Sequence, residues 1–329
     1  MKTWIKRLLL LTIMAALAGG GGLAWYATQP LHIEPLPKTL NVTPGTNLRS
    51  LSTMLEREGV VGNAPVFWLL GRVLGKGGNL KLGVYTLDKP LTPLELYAVF
   101  ERGEVSQAII QFIEGKNWRE VRATLAEQPL LKNDSATMSD AELMHAIGAE
   151  ESHPEGLLFP DTYFYAPHTS DLDVLRRAYH LQRDKLQAAW DTRAPGLPYR
   201  TPYEALIMAS IVEKETGAAF ERPQIAGVFL NRLKLGMRLQ TDPTVIYGLG
   251  EHFDGNLRRI DLQTDTPYNT YTRAGLPPTP IAMPSEAAIL AALHPAKTDA
   301  LYFVARKNGT HVFSSTLEAH NRAVNRYQR

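Results

Sequence analysis

The sequence predicts an α+β fold carried behind one N-terminal membrane-spanning helix. Three observations lead there. Residues 8–27 hold no charged side chain and directly follow Lys2, Lys6 and Arg7. Downstream, apolar residues recur at helical spacing in several separate runs. Between those runs lie short β-branched and aromatic segments, the clearest being Leu301-Tyr302-Phe303-Val304 and the stretch from His311 to Phe313, joined through Asn308-Gly309. An Asn-Gly pair is what a tight hairpin turn selects. Of the 329 residues, 44% are hydrophobic and 21% charged, which is enough to bury a core and excludes wholesale disorder.

The leader comes first. A helix over residues 8–27 rises about 30 Å, the thickness of a bilayer's hydrocarbon core. Trp25 and Tyr26 stand where an interfacial aromatic belt forms, and the basic flank ahead of the span keeps the N-terminus cytoplasmic and exports the bulk. A cleaved signal peptide is the alternative, because Ala16-Leu17-Ala18 has the small-residue pattern of a cleavage site. Lys plus Arg number 35 against 33 for Asp plus Glu. Without the three leader cations the sum is 32 − 33 = −1, so the body is near neutral and no nucleic-acid partner is expected. The absence of cysteine excludes thiol nucleophiles, thiolate metal sites and disulfides.

Residues 29–38, with Pro30, Pro35 and Pro37, read as an extended linker. Residues 39–107 follow in the order strand, helix, helix, strand, helix. Leu40-Asn41-Val42 alternates, Leu48, Leu51 and Leu55 keep helical spacing, and a second helical run begins at Val66. Gly83-Val84-Tyr85-Thr86-Leu87 is a strand, and Thr92 caps a helix running through Phe100. The opening Leu40-Asn41-Val42-Thr43-Pro44-Gly45-Thr46 resembles the start of a LysM-type module, which binds glycan chains rich in N-acetylglucosamine. The glycines around Gly75-Lys76 miss the spacing and the following Ser or Thr of a phosphate loop. Residues 108–329 form the second part. Ile109 to Ile113 is strand-like, Asn117 caps a helix through Leu125, and further helices are expected over residues 141–147, 171–193, 203–217, 223–235 and 285–293. The hairpin and a last helix complete it.

The most informative helix is YEALIMASIVEKETG, residues 203–217, with Pro202 suited to its first turn and Gly217 to its C-cap. At about 100° per residue, Glu215 falls within the bulky apolar stripe of Met208, Ile211 and Val212, whereas Glu213 lies about 160° away beside Leu206, Ala209 and Ser210. Burial and the negative end of the helix dipole both disfavour a Glu215 carboxylate, which suits a general acid. The alternative is a Glu215 paired with Lys214, Arg222 or Arg232. The two glutamates point apart, so they are not the facing pair of most glycosidases. Either a distant acid such as Asp242 completes the site, or one carboxyl does both proton transfers. Pro243 makes Asp242 extended, in a polar turn. Pro267-Tyr268-Asn269-Thr270-Tyr271 and the Pro-rich loop after it offer rings and amides suited to a sugar. The nine histidines show no metal-ligand spacing; neither a metal nor a cofactor is expected.

Several long runs carry a family resemblance: Ala209-Ser210-Ile211-Val212-Glu213-Lys214-Glu215-Thr216; Glu221-Arg222; Val228-Phe229-Leu230-Asn231-Arg232-Leu233; and the stretch from Met237 through Gln240-Thr241-Asp242-Pro243-Thr244 to Tyr247-Gly248. Glu155-Gly156-Leu157-Leu158-Phe159-Pro160-Asp161-Thr162-Tyr163, Tyr268-Asn269-Thr270-Tyr271 and Gly275-Leu276-Pro277-Pro278 join them. Together these resemble the YceG-like family of endolytic murein transglycosylases. Met283-Pro284-Ser285-Glu286 departs from it, since relatives carry a Pro-Gly pair there.

The resemblance implies a mixed α/β catalytic domain over residues 108–329, a LysM-like subdomain over 39–107 and an anchor over 1–28. It makes Glu215 the catalytic acid/base, with Gln240, Asp242, Tyr247, Asn269 and Tyr271 lining a glycan cleft. The implied reaction cleaves the β-1,4 bond from N-acetylmuramic acid to N-acetylglucosamine without water, leaving 1,6-anhydro ends. The implied setting is the inner membrane, with the catalytic part periplasmic, peptidoglycan strands as substrate and peptidoglycan synthases (penicillin-binding proteins) as candidate partners. A hydrolytic muramidase using Glu215 and Asp242, or a membrane-tethered glycan-binding scaffold without turnover, remain the competing readings.

Overall fold

The computed structural model describes residues 2–78 and 80–328, and the chain is a mixed helix-and-strand protein. It divides into two compact units. One comprises residues 2–109 with Phe164–His168, the other residues 110–163 and 169–328.

The first unit begins with α1 (Lys2–Thr28). It contains, among the described residues, the one helix long and apolar enough to cross a membrane, over Leu10–Thr28. Its last turns are not free, because Leu23, Tyr26 and Ala27 pack into the unit's core. Tyr26, expected at a membrane interface, is turned inward, whereas Trp25 is exposed. Residues 29–38 are extended but not a loose linker. Leu31 and Ile33 are buried among the prolines, and the Leu31 N–H donates to Leu91 O at 2.8 Å.

Next come β1 (Lys38–Val42), α2 (Leu48–Arg57), α3 (Ala64–Val73), β2 (Gly83–Leu87) and α4 (Pro93–Arg102). The expected order of strands and helices is found. β1 and β2 pair antiparallel with Leu40 opposite Tyr85. Local chemistry places each helix start: Asn47 and Thr92 form reciprocal capping boxes with Ser50 and Glu95, and Asn63 caps α3. Phe67 stacks on Tyr97 at 4.3 Å, and the Tyr97 hydroxyl donates to Phe67 O.

The second unit contains α5 (Trp118–Ala126), α6 (Asp140–Ile147), α7 (Asp171–Asp191), α8 (Pro202–Glu215), α9 (Arg222–Lys234), α10 (Asp242–Leu249), α11 (Arg259–Gln263), α12 (Glu286–Leu293) and α13 (Leu317–Tyr327). Strands β3 (Ala108–Gln111) and β4 (Thr162–Tyr165) lie where the chain passes from one unit to the other, and β5 (Tyr302–Ala305) and β6 (His311–Ser314) form the hairpin of the second unit, turned at Gly309.

α8 is the centre, packed against α7, α9, α10 and α12. Every residue from 205 to 212 is buried, so this helix is enclosed on all sides rather than amphipathic. Ala205 and Ala209 on α8, with Ala288, Ala291 and Ala292 on α12, are buried residues small enough for close helix packing.

One expectation fails in α10. Asp242 and Pro243 open a helix rather than a polar turn. Proline's fixed φ and missing N–H suit a first helical turn, and only Thr241 before it is extended, at φ −117° and ψ 123°.

Candidate active site

The site is built from the end of α8. Thr201 caps the start, accepting from the Glu204 N–H at 3.2 Å, with Pro202 in the first turn. The C-terminus does not use Gly217 as a left-handed cap. Thr216 leaves the helix directly into extended backbone, φ −146° and ψ 134°, and its hydroxyl accepts from the Ala218 N–H at 2.9 Å. Glu215 is therefore the last helical residue, next to the unsatisfied carbonyls.

The two glutamates have separate surroundings. Glu213 accepts from Arg222 Nη2 at 3.1 Å, from the Ser285 N–H at 3.0 Å and from the Ser285 hydroxyl. Ser285 also caps α12, so Glu213 ties the end of α8 to the start of α12. Glu215 has no cation paired to it among the described residues. The three cations weighed as partners are spent elsewhere. Lys214 Nζ donates to Gly115 O at 3.1 Å, Arg222 serves Glu213, and Arg232 donates from Nε to Leu301 O at 2.6 Å and from Nη1 to Arg238 O and Leu239 O.

The Glu215 carboxyl accepts from the Thr241 hydroxyl. Its pKa is pushed up to about 7, chiefly by burial. The Asp242 charge adds to the rise, while the Thr241 hydrogen bond and His311 oppose it. A group with such a pKa holds or releases a proton at little cost near neutrality.

Glu215 opens onto a cavity of about 550 Å³. Gln240, Thr241 and Asp242 form one wall. Gln240 sits at φ +52°, a left-handed conformation that non-glycine residues seldom adopt. Its N–H donates to Thr270 O at 3.1 Å and its side-chain oxygen accepts from Arg232. Below it, buried Thr241, Thr244 and Thr270 share hydrogen bonds of 2.7 to 3.1 Å. Asp242 accepts from the Tyr271 hydroxyl at 2.6 Å, and burial followed by that carboxylate raises the Tyr271 pKa.

The opposite wall comes from the hairpin and α13, with Tyr302, Phe303, His311 and His320. Tyr302 lies between Arg232, 5.1 Å from its ring centre, and the stacked His320 ring at 5.2 Å. His311 is fastened twice to buried Glu221, by its N–H at 2.9 Å and by Nδ1 at 2.8 Å.

The cavity thus brings together Glu215, Gln240, Asp242 and Tyr271. It does not include Asn269 or Tyr247. Asn269 is fully buried. Its amide donates to the carbonyls of Asp261, Leu262 and Thr264, and its oxygen accepts from the Tyr271 N–H at 2.8 Å. It shapes the loop that presents Tyr271. Tyr247 donates to Glu155 at 2.9 Å and meets the Tyr268 ring edge-on at 4.8 Å.

Sequence reasoning overlooked Arg232, Glu221, His311, His320 and Thr241 as site residues, and Glu155 as a perturbed group. Buried Glu155 accepts from the Trp118 N–H at the start of α5 and from Tyr247 on α10, and burial pushes its pKa up to about 7. A glutamate directly ahead of the apolar run Leu157-Leu158-Phe159 was the available signal. His311 had none, because its partner lies 90 positions away.

Known proteins show the same arrangement of sequence. An endolytic murein transglycosylase of Bacillus subtilis (strain 168) is 33% identical over 319 residues, covering 90% of this chain and 88% of its own length. A protein of that name from Streptococcus pneumoniae (strain D39) is 28% identical over 95% of this chain, which spans only 63% of that relative. The crystal structure of a YceG-like protein from Listeria monocytogenes matches with a TM-score of 0.61 at 32% identity, covering 87% of this chain and 98% of its own. The sequence model of the YceG-like family matches residues 40–326, and the chain belongs to that family.

Proposed function

We propose that this protein is an endolytic lytic transglycosylase of peptidoglycan that cuts the β-1,4 bond between N-acetylmuramic acid and N-acetylglucosamine in nascent strands and so sets their length. One observation carries the reading: a carboxyl without a cationic partner among the described residues, its pKa raised to about 7, at the wall of a cavity lined with rings and hydrogen-bonding groups. The names of the bacillary and streptococcal relatives support it.

Protonated Glu215 gives its proton to the bridging oxygen as the bond to the muramyl C1 breaks, and the N-acetylglucosamine leaves with a free 4-hydroxyl. The muramyl C6 hydroxyl closes on C1, and the Glu215 carboxylate takes the hydroxyl proton. The 1,6-anhydro ring forms, no water is consumed, and Glu215 returns to its starting state. Burial favours its neutral form before the first transfer, and the Thr241 hydroxyl holds the anion between the two. Gln240, Asp242 and Tyr271 line the cleft, while Tyr247 and Asn269 support it from behind. No cofactor takes part.

Asp242 in the same cavity favours a second reading, hydrolysis with Asp242 activating water. Digesting purified peptidoglycan and weighing the new ends separates the two, because an anhydro end is lighter by one water than a reducing end. Glu215→Gln should abolish cleavage while the protein stays folded. Unchanged cleavage would refute the assignment and leave a binding scaffold.

Residues 1–28 serve as a single-pass anchor in the inner membrane, N-terminus inside and catalytic part periplasmic. The strand-helix-helix-strand order of residues 39–107, with its strands paired antiparallel, supports a LysM-like glycan-binding role beside the catalytic residues 108–329. Peptidoglycan synthases are the partners such a placement suits.

A further inference from the structure

In the first unit, α3 presents an unusual surface. Phe67, Leu70 and Gly71 face the core, yet the outer side is also apolar: Trp68, Leu69 and Val73 are exposed, the last two at 48% and 67%, with Leu74 beside them. At about 100° per residue, Trp68, Arg72, Leu69 and Val73 share one arc of the helix. A soluble helix ordinarily turns polar side chains outward there. Arg49, Arg72 and Lys76 line a recess next to Trp68. Lys76 is held by Glu101 at 2.7 Å, while Arg49 and Arg72 have no carboxylate partner among the described residues.

The anchor supplies the second observation. α1 packs against α3 and α4, and Leu23, Tyr26 and Ala27 are committed to the core of this unit. Residues 8–22 are what remains of the charge-free run, and about 15 residues rise only about 22 Å. A hydrocarbon core is about 30 Å thick. The shortfall, about 8 Å, matches the depth to which interfacial helices enter the boundary between headgroups and acyl chains. Part of the unit next to α1 must therefore lie within that boundary, and α3 is an element there with an apolar exterior.

We infer that α3 is a membrane-docking element: Trp68, Leu69 and Val73 enter the boundary of the bilayer that α1 crosses, and Arg49 and Arg72 meet anionic headgroups. This rests on the reading of α1 as a bilayer span. Docking fixes the unit against the lipid surface by two points rather than one.

The cysteine-free chain makes the test direct. The full chain is placed in vesicles of phosphatidylethanolamine and phosphatidylglycerol with single nitroxide labels at Leu69→Cys, Val73→Cys, Leu17→Cys and, as an aqueous control, Asp184→Cys. Accessibility to oxygen is compared with accessibility to a water-soluble nickel chelate. Labels at 69 and 73 should favour oxygen several-fold over the control, as should the label at 17, and Arg49→Glu with Arg72→Glu should return 69 and 73 towards water. If 69 and 73 match the control while 17 reads lipid, docking is refuted and the anchor stands. If 17 also reads water, both fall. Shielding of 69 and 73 that needs added peptidoglycan strands or another protein assigns the face to that ligand and overturns the proposal.

Discussion

Thr241→Val tests how the protein tunes its acid. The substitution keeps shape but removes the hydroxyl that donates to Glu215. Hydrogen bonds to a charged group contribute about 1.5–3 kcal/mol. The neutral carboxyl also accepts this bond through its carbonyl oxygen, so only part of that difference, about 1–1.5 kcal/mol, separates the two protonation states. At about 1.4 kcal/mol per pKa unit, the shift is about one unit upward, from about 7 towards about 8. In the proposed mechanism Glu215 acts first as an acid, so activity is expected to fall as pH rises through its pKa. The expected result is an alkaline limb of the kcat/KM profile displaced about one unit to higher pH, with Thr241→Ser close to wild type. Initial rates of strand cleavage across the pH range measure it. A limb that stays put or moves to lower pH would refute the claim that this hydroxyl stabilises the anion. No limb near neutrality would remove Glu215 as the titrating acid.

Three further outcomes can be measured. Glu213→Gln leaves the partly buried Arg222 charge unpaired and should cost about 3 kcal/mol in urea unfolding of the second unit, lowering activity only as far as folding is lost. Gln240→Gly relieves the left-handed backbone at φ +52° and should stabilise by about 1 kcal/mol in the same assay while weakening substrate binding, seen as a raised KM. Glu155 has a folded pKa raised from 4.5 to about 7, so its stabilising contribution is full below about pH 4.5 and is lost as pH rises through about 7. The free energy of unfolding should therefore fall between mildly acidic and mildly alkaline pH, by up to about 3 kcal/mol from this group, and Glu155→Gln should flatten that dependence.

Much of the architecture was legible because local chemistry decides it. Thr92 and Asn117 each cap a helix where a capping residue precedes an apolar run, as expected, and Asn47 and Ser285 do the same. The different surroundings of Glu213 and Glu215 follow from their angle on the helix. What escaped depends on tertiary context. Pro243 suits both an extended bend and a first helical turn, and only the Thr241–Thr270 hydrogen bonding around it selects the helix. Asn269 looks the same in sequence whether it faces a sugar or three backbone carbonyls. Arg232 and His311 acquire their places from carbonyls and a carboxylate far along the chain, a pairing that no periodicity records.

The wall made by Tyr302, Phe303, His311, His320 and Val324 has a consequence for the order of synthesis. Translation delivers Glu215 well before these residues, and domains fold as their parts emerge. Until the hairpin and α13 arrive, water reaches the Glu215 carboxyl and the desolvation that raises its pKa is incomplete. On the proposed mechanism, a chain that stops short of the hairpin and α13 would carry Glu215 with its carboxyl ionised near neutrality, so the acid becomes competent only once the last elements have folded.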